Sequence, residues 1–172
     1  MENNKAMKIL LATDGSDFSQ VAVKKCVDLF GNLPDAKIRI ITVVGMKMPA
    51  AEPWVSTPDY FHEVNLAAHE HAKEVVLKAE AAMRNHCPAL TAELSTEVIT
   101  GSAKRAIVEY AESWGADLIV VGSNGYGFWP RALLGSISDS VVHHAPCSVL
   151  VVRTSESPED ENGSDQDGNG RK

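Results

Sequence analysis

Residues 117–123 read DLIVVGS, with four apolar side chains in succession and no polar position among them. A strand with one wet face alternates apolar and polar residues. An unbroken run means a strand covered on both faces, and such strands belong to parallel sheets flanked by helices. The segments around it fit that demand. KILLAT (8–13) reads as a short buried strand ended by Asp14-Gly15-Ser16. AKIRIITVV (36–44) is rich in β-branched residues, TAELSTEVIT (91–100) alternates, and CSVLVVR (147–153) gives a fifth strand.

Helical periodicity fills the intervals. Ala22, Cys26, Leu29 and Phe30 fall on one face of a helix capped by Ser16 or Asp17 and stopped by Gly31 to Pro34. Residues 45–58 hold three prolines and no periodicity, so they read as a loop, either a mobile cover around Met46, Met48 and Trp54 or plain surface. From about 58 to 85, Phe61, Val64, Ala68, Ala72, Val75, Ala79 and Met83 step by three and four, and Cys87-Pro88 closes the helix. Gly101-Ser102 opens a helix that turns Ala103, Ile107, Tyr110, Ala111 and Trp114 inward and ends at Gly115. A short last helix carries Ile137, Val141 and Val142 before Ala145-Pro146 breaks it. Strands alternating with helices predict one small doubly wound α/β domain with a five-stranded parallel sheet and helices on both faces.

Ligands in such sheets sit beyond the carboxyl ends of the strands, where the winding reverses. The loops after strands one and four are DGSD and the glycine-rich stretch 122–138. Glycine permits tight turns and close backbone approach. Successive N–H groups and a helix N-terminus bind anions. Gly135-Ser136, with the hydroxyls of Ser136 and Ser138, thus suits the phosphate of a small molecule. Neither a P-loop nor the G-x-G-x-x-G dinucleotide fingerprint is present, and a bare strand-to-helix turn stands beside the ligand reading.

Gly122-x-x-Gly125, nine residues, then Gly135-Ser136 resembles the ATP-binding signature of the universal stress protein family. KILLATDGSDFS, GADLIVVGS and SISDSVVHHAPCSVLVVR are similar to that family's first strand and its last two strands with the helix between them, so the resemblance spans about residues 7–153. It implies sheet order 3-2-1-4-5 and an adenine-nucleotide ligand, ATP or alternatively ADP or AMP, with Mg2+. It implies that Asp14, at the end of Ala12-Thr13-Asp14, holds the ribose or orients the nucleoside, and that the backbone near Val43 meets adenine. Gly122, Ser123, Gly125, Gly135, Ser136, Ile137 and Ser138 would surround ribose and phosphates. It also implies a homodimer paired through the last strand, residues 147–153; an apolar edge strand is a physical reason for such pairing. The chain departs from the family at Asn124, where many members carry a basic residue or histidine, and at the bulkier FWPR of 128–131, whose Arg131 offers a cation.

Other features have plainer readings. Asp14 also suits an ordinary helix cap. His143 and His144 end a helix and complement its dipole. His62 and His69 are seven apart on the long helix with His71 nearby, but this is not the closer spacing of H-E-x-x-H, so no metal site is expected. The net charge of −7 includes −4 from the tail 154–172, which has no apolar residue and is expected to be disordered beyond a domain of residues 1–153. The nearly balanced body argues against a nucleic-acid surface. Three cysteines without disulfide spacing fit a reducing compartment, and no apolar run nears the roughly 20 residues of a membrane span. A cytoplasmic nucleotide-binding regulator is expected, with no catalytic residues and at most slow ATP hydrolysis. The alternative is an ATP-hydrolysing or ATP-pyrophosphatase-like enzyme, to which TDGSDFS bears a loose likeness, though it lacks the second glycine. A third reading is a nucleotide-free structural partner.

Overall fold

The computed structural model describes residues 5–45, 58–123 and 134–153. The elements run β1 (Lys8–Ala12), α1 (Asp17–Phe30), β2 (Lys37–Val44), α2 (Pro58–His86), β3 (Glu93–Thr100), α3 (Ala103–Trp114), β4 (Leu118–Gly122), α4 (Ser136–His144) and β5 (Ser148–Val152). All strand pairs are parallel, in the order β3-β2-β1-β4-β5. The expected doubly wound sheet is therefore present. Its winding reverses where β1 meets β4, with Leu11 opposite Val120 and Ala12 opposite Val121.

The period-two geometry of the strands divides the core in two. Ile9, Leu11, Ile38, Ile40 and Val120 face α1 and α2, where they meet Val23, Cys26, Val27, Val76, Ala79 and Met83. Leu10, Ile41, Ile119 and Val121 face the other way, onto Ile107 and Ala111 of α3 and Val141 of α4. All five residues of β4 are buried, as the run at 118–122 requires. On α1 the buried stripe is Ser19, Ala22, Val23, Cys26 and Val27. Leu29, expected inward, is 49% exposed. At about 100° per residue it sits on one edge of that stripe, roughly 160° around from Val27, in the last turn of the helix. Tyr110 and Trp114 are half-buried against the second core.

The amino ends of the strands are tied by charge. Asp117 accepts the Lys8 N–H at 2.8 Å and the Lys5 ammonium at 3.3 Å. The Lys8 ammonium donates to the Trp114 carbonyl at 2.9 Å. Farther along the face, Arg39 lies 4.8 Å from the Trp114 ring centroid and donates to the Tyr110 hydroxyl at 2.7 Å and Ser95 Oγ at 3.1 Å. The Lys8 N–H, helped by Lys5, holds the Asp117 carboxyl below its ordinary range. At the far end of α4 the Nδ1–H groups of His143 and His144 donate to the Asp139 and Ser140 carbonyls, each at 2.8 Å, which is the helix-end role expected of them.

Candidate functional site

The carboxyl ends of β1, β2 and β4 open into a cleft closed on one side by the start of α3 and on the other by the start of α4. Ala12, Ile41, Val43, Val121, Ala103, Ile107 and Ile137 make its walls mostly apolar, and Thr13, Asp14, Ser19, Thr42, Gly122 and Ser138 supply the polar groups. Asp14 is the one charged side chain among these lining residues.

Loop 13–16 is built by local bonds that short polar side chains make readily. Ser16 caps α1, accepting the Ser19 N–H at 3.3 Å. Asp14 is thus not the cap; it braces it. Its Oδ1 accepts the Ser16 N–H at 3.0 Å and the Ser16 hydroxyl at 2.6 Å. The Thr13 hydroxyl donates to Ser19 Oγ at 2.9 Å and accepts the Gly15 N–H at 3.2 Å, while the Ser19 hydroxyl donates to the Ser16 carbonyl at 2.8 Å. From β2, the Thr42 hydroxyl donates to the Thr13 carbonyl. Gly15, at φ 80°, takes the left-handed turn that lets the loop close on itself.

The opposite wall begins at Gly135, the N-cap of α4, with extended backbone and no side-chain cap bond. Its N–H donates to the Ser123 carbonyl at 2.7 Å, and the Ser123 N–H donates to the Val152 carbonyl at 2.7 Å, so the two ends of the glycine-rich stretch are joined. Ser138, buried, donates to the Gly122 carbonyl at 2.6 Å. Ile137 stays 39% exposed at the cleft mouth. The first-turn amides of α4 lie beside the cleft, where a helix N-terminus favours an anion.

Ala12, Thr13, Asp14, Val43, Gly122, Ile137 and Ser138 line the cleft together. Ser123, Gly135 and Ser136 stand at its α4 side without lining it. Gly125, Asn124, the FWPR segment, Met46, Met48, Trp54 and the tail 154–172 lie outside the described residues. Sequence reasoning missed Ser19, Ile41, Thr42, Ala103, Ile107 and Val121. Of these, Thr42 and Ser19 had one available signal: a hydroxyl at an inward position of an otherwise apolar stripe. Among the described residues every buried polar side chain is a hydroxyl, namely Thr13, Ser16, Ser19, Thr42, Ser123 and Ser138. All stand on or next to the carboxyl ends of strands. No group of three or more His, Cys, Asp or Glu that could hold a metal ion occurs among the described residues.

The profile of the universal stress protein family matches residues 5–153. A universal stress protein of Methanocaldococcus jannaschii is 33% identical over 150 residues, covering 85% of this chain and 81% of that protein. The solved structure of universal stress protein UspA from Lactobacillus plantarum superposes with a TM-score of 0.71 at 29% identity, over 88% of this chain and all of the other. A universal stress protein solved in complex with cAMP gives a TM-score of 0.63 at 26% identity, over 87% of this chain and 98% of its own.

Proposed function

The chain belongs to the universal stress protein family, and on that premise we propose that it is a cytoplasmic regulator that binds an adenine nucleotide, ATP with Mg2+, in the cleft at the carboxyl rim. The observation that carries this reading is the division of the cleft: apolar walls between an aspartate on one side and a helix N-terminus on the other. A flat aromatic base suits the walls around Val43, Ile41 and Ile107. A ribose offers hydroxyl donors to Asp14. Phosphates suit the first-turn amides of Ser136 and Ile137 and the Ser136 hydroxyl, with Gly122 and Ser123 at the end of β4. The relative with bound cAMP supports the adenine class of ligand. Mg2+ fits as a passenger of the phosphates, because the donor set described contains no carboxylate cluster to hold it; when bound it would neutralise phosphate charge.

Nucleotide occupancy modulates dimer or partner contacts in this reading, and the dimer forms through residues 147–153. The support is the contrast between the two sheet edges. The β3 edge carries Glu93 and Glu97, paired with Lys37 and Arg39 at 3.0 and 3.6 Å. No charged residue occurs from Cys147 to Val152, and Val149, Leu150 and Val151 are only half-buried. An uncharged apolar edge is an invitation to pair. Val149→Lys is expected to convert a dimer to a monomer in analytical ultracentrifugation; an unchanged sedimentation coefficient would remove β5 from the interface.

The direct test is chemical. Protein purified gently and then denatured should release an adenine nucleotide to an ion-exchange column, and calorimetry should give heat for ATP with magnesium. No heat for any adenine nucleotide at millimolar concentration overturns the reading. Turnover above about 1 per second, the range of ordinary enzymes, would replace it with the hydrolase alternative.

A further inference from the structure

The buried hydroxyls raise a question that ligand contact alone does not answer. Thr42 sits in β2 between Ile41 and Val43, and valine would fill the same shape without a polar group to bury. Its hydroxyl reaches across 29 positions of sequence to the carbonyl of Thr13. That carbonyl belongs to the peptide leading into Asp14. A trans peptide is planar, so holding its carbonyl orients the N–H of Asp14 as well. Thr13 is held from its other sides too: its N–H donates to the Ile41 carbonyl at 2.9 Å, and its hydroxyl joins Ser19 and the Gly15 N–H. The residue before Asp14 thus has backbone and side chain fixed together, with Thr42 supplying the side-chain bond from β2 to its carbonyl.

We propose that Thr42 is a positioning residue for ribose selectivity: through the Thr13–Asp14 peptide, its hydroxyl holds the Asp14 carboxylate where the ligand's neighbouring sugar hydroxyls meet it. This rests on the reading that Asp14 faces the ribose. The reasoning is geometric. A carboxylate serving two adjacent hydroxyls must satisfy two distances and two angles at once, and such bonds weaken steeply below about 120°. Losing the Thr42 bond leaves the buried Thr13 carbonyl short of a donor, and the peptide turns to find one. The apolar walls that would take the base do not depend on that peptide.

The experiment titrates ATP and 2′,3′-dideoxy-ATP, with magnesium, into the full chain and into Thr42→Val, Thr42→Ser, Asp14→Asn and the Thr42→Val/Asp14→Asn double variant. The wild-type chain should prefer ATP. Thr42→Val should lose about tenfold for ATP and less than twofold for the dideoxy ligand, Thr42→Ser should restore the preference, and the double variant should bind ATP no more weakly than Asp14→Asn alone. Equal losses for both ligands, no rescue by serine, or additive losses in the double variant overturn the proposal while leaving the nucleotide reading standing. A wild-type chain that binds both ligands alike, or neither, overturns the assignment of Asp14 and the proposal with it. Should Thr42→Val not fold, Ser19→Ala removes the bond on the other side of Thr13. A selective loss there supports the proposal and an unselective loss overturns it.

Discussion

Two aspartates flank the centre of the sheet at opposite rims, and their surroundings differ in kind. Asp117, at the amino rim, is answered by the Lys5 ammonium and the Lys8 backbone N–H, while the Lys8 ammonium lies over the Trp114 ring. Asp14, at the carboxyl rim, accepts from the N–H and hydroxyl of Ser16 and stands in a cleft whose described lining includes no lysine or arginine. The amino rim is stitched by charge, and the carboxyl rim is braced by neutral hydroxyls around an opening. A carboxylate already paired with a cation has little left for a ligand. Asp14, by contrast, stands in an opening. On the proposed reading, the contrast assigns Asp117 to stability and Asp14 to the ligand.

The sharpest way to break that division is at the cleft. Gly135→Val should lower ATP affinity by more than a hundredfold, about 2.7 kcal/mol, because a branched side chain would stand where phosphate meets the α4 amides. Calorimetry measures the loss and circular dichroism checks that the fold survives; near-native affinity would leave the glycine turn purely architectural. Asp14→Asn keeps an acceptor for Ser16 but removes the charge, and should weaken ATP about tenfold with little change in melting temperature. Asp117→Asn should do the reverse, leaving affinity untouched and lowering the melting temperature by no more than about 3 °C, since the pair is largely exposed. The sign with pH follows from the lowered carboxyl. Asp117 contributes above its unfolded value of about 3.9 and loses that contribution as pH falls through its lower folded value. The melting difference between Asp117→Asn and wild type should therefore be present at pH 7 and shrink towards pH 3. The smallest effect belongs to removal of residues 154–172, which should shift the melting temperature by less than about 1 °C; a drop of several degrees would mean the tail packs on the domain.

The architecture was legible because each element announces itself by periodicity or composition. The run 118–121 demanded a doubly covered strand, Gly115 and Pro146 marked helix ends, and the steps from Ala72 to Met83 traced the buried side of α2. Leu29 misled because three-and-four spacing also admits the edge of a stripe, and only packing decides how wide an arc is covered. The cleft was legible where glycine or a charge stood out, as at Asp14 and Gly122. Thr42 was hidden because threonine in IITVV is what strand propensity alone would place there. Nothing local says that its hydroxyl answers a carbonyl in another loop. Ser19 was hidden similarly, one turn into a helix whose cap drew attention to Ser16.

The hydroxyl bracing has one more consequence. Serine and threonine do not gain or lose protons anywhere near neutrality, and no histidine, cysteine or lysine lines the described cleft. Mild acidification of the surrounding solution would reach such a pocket chiefly through the visitor's own phosphate, whose second proton binds near pH 6. On the proposed reading, such a receptor would follow the supply and the charge state of its ligand more than any titration of its own hydroxyls.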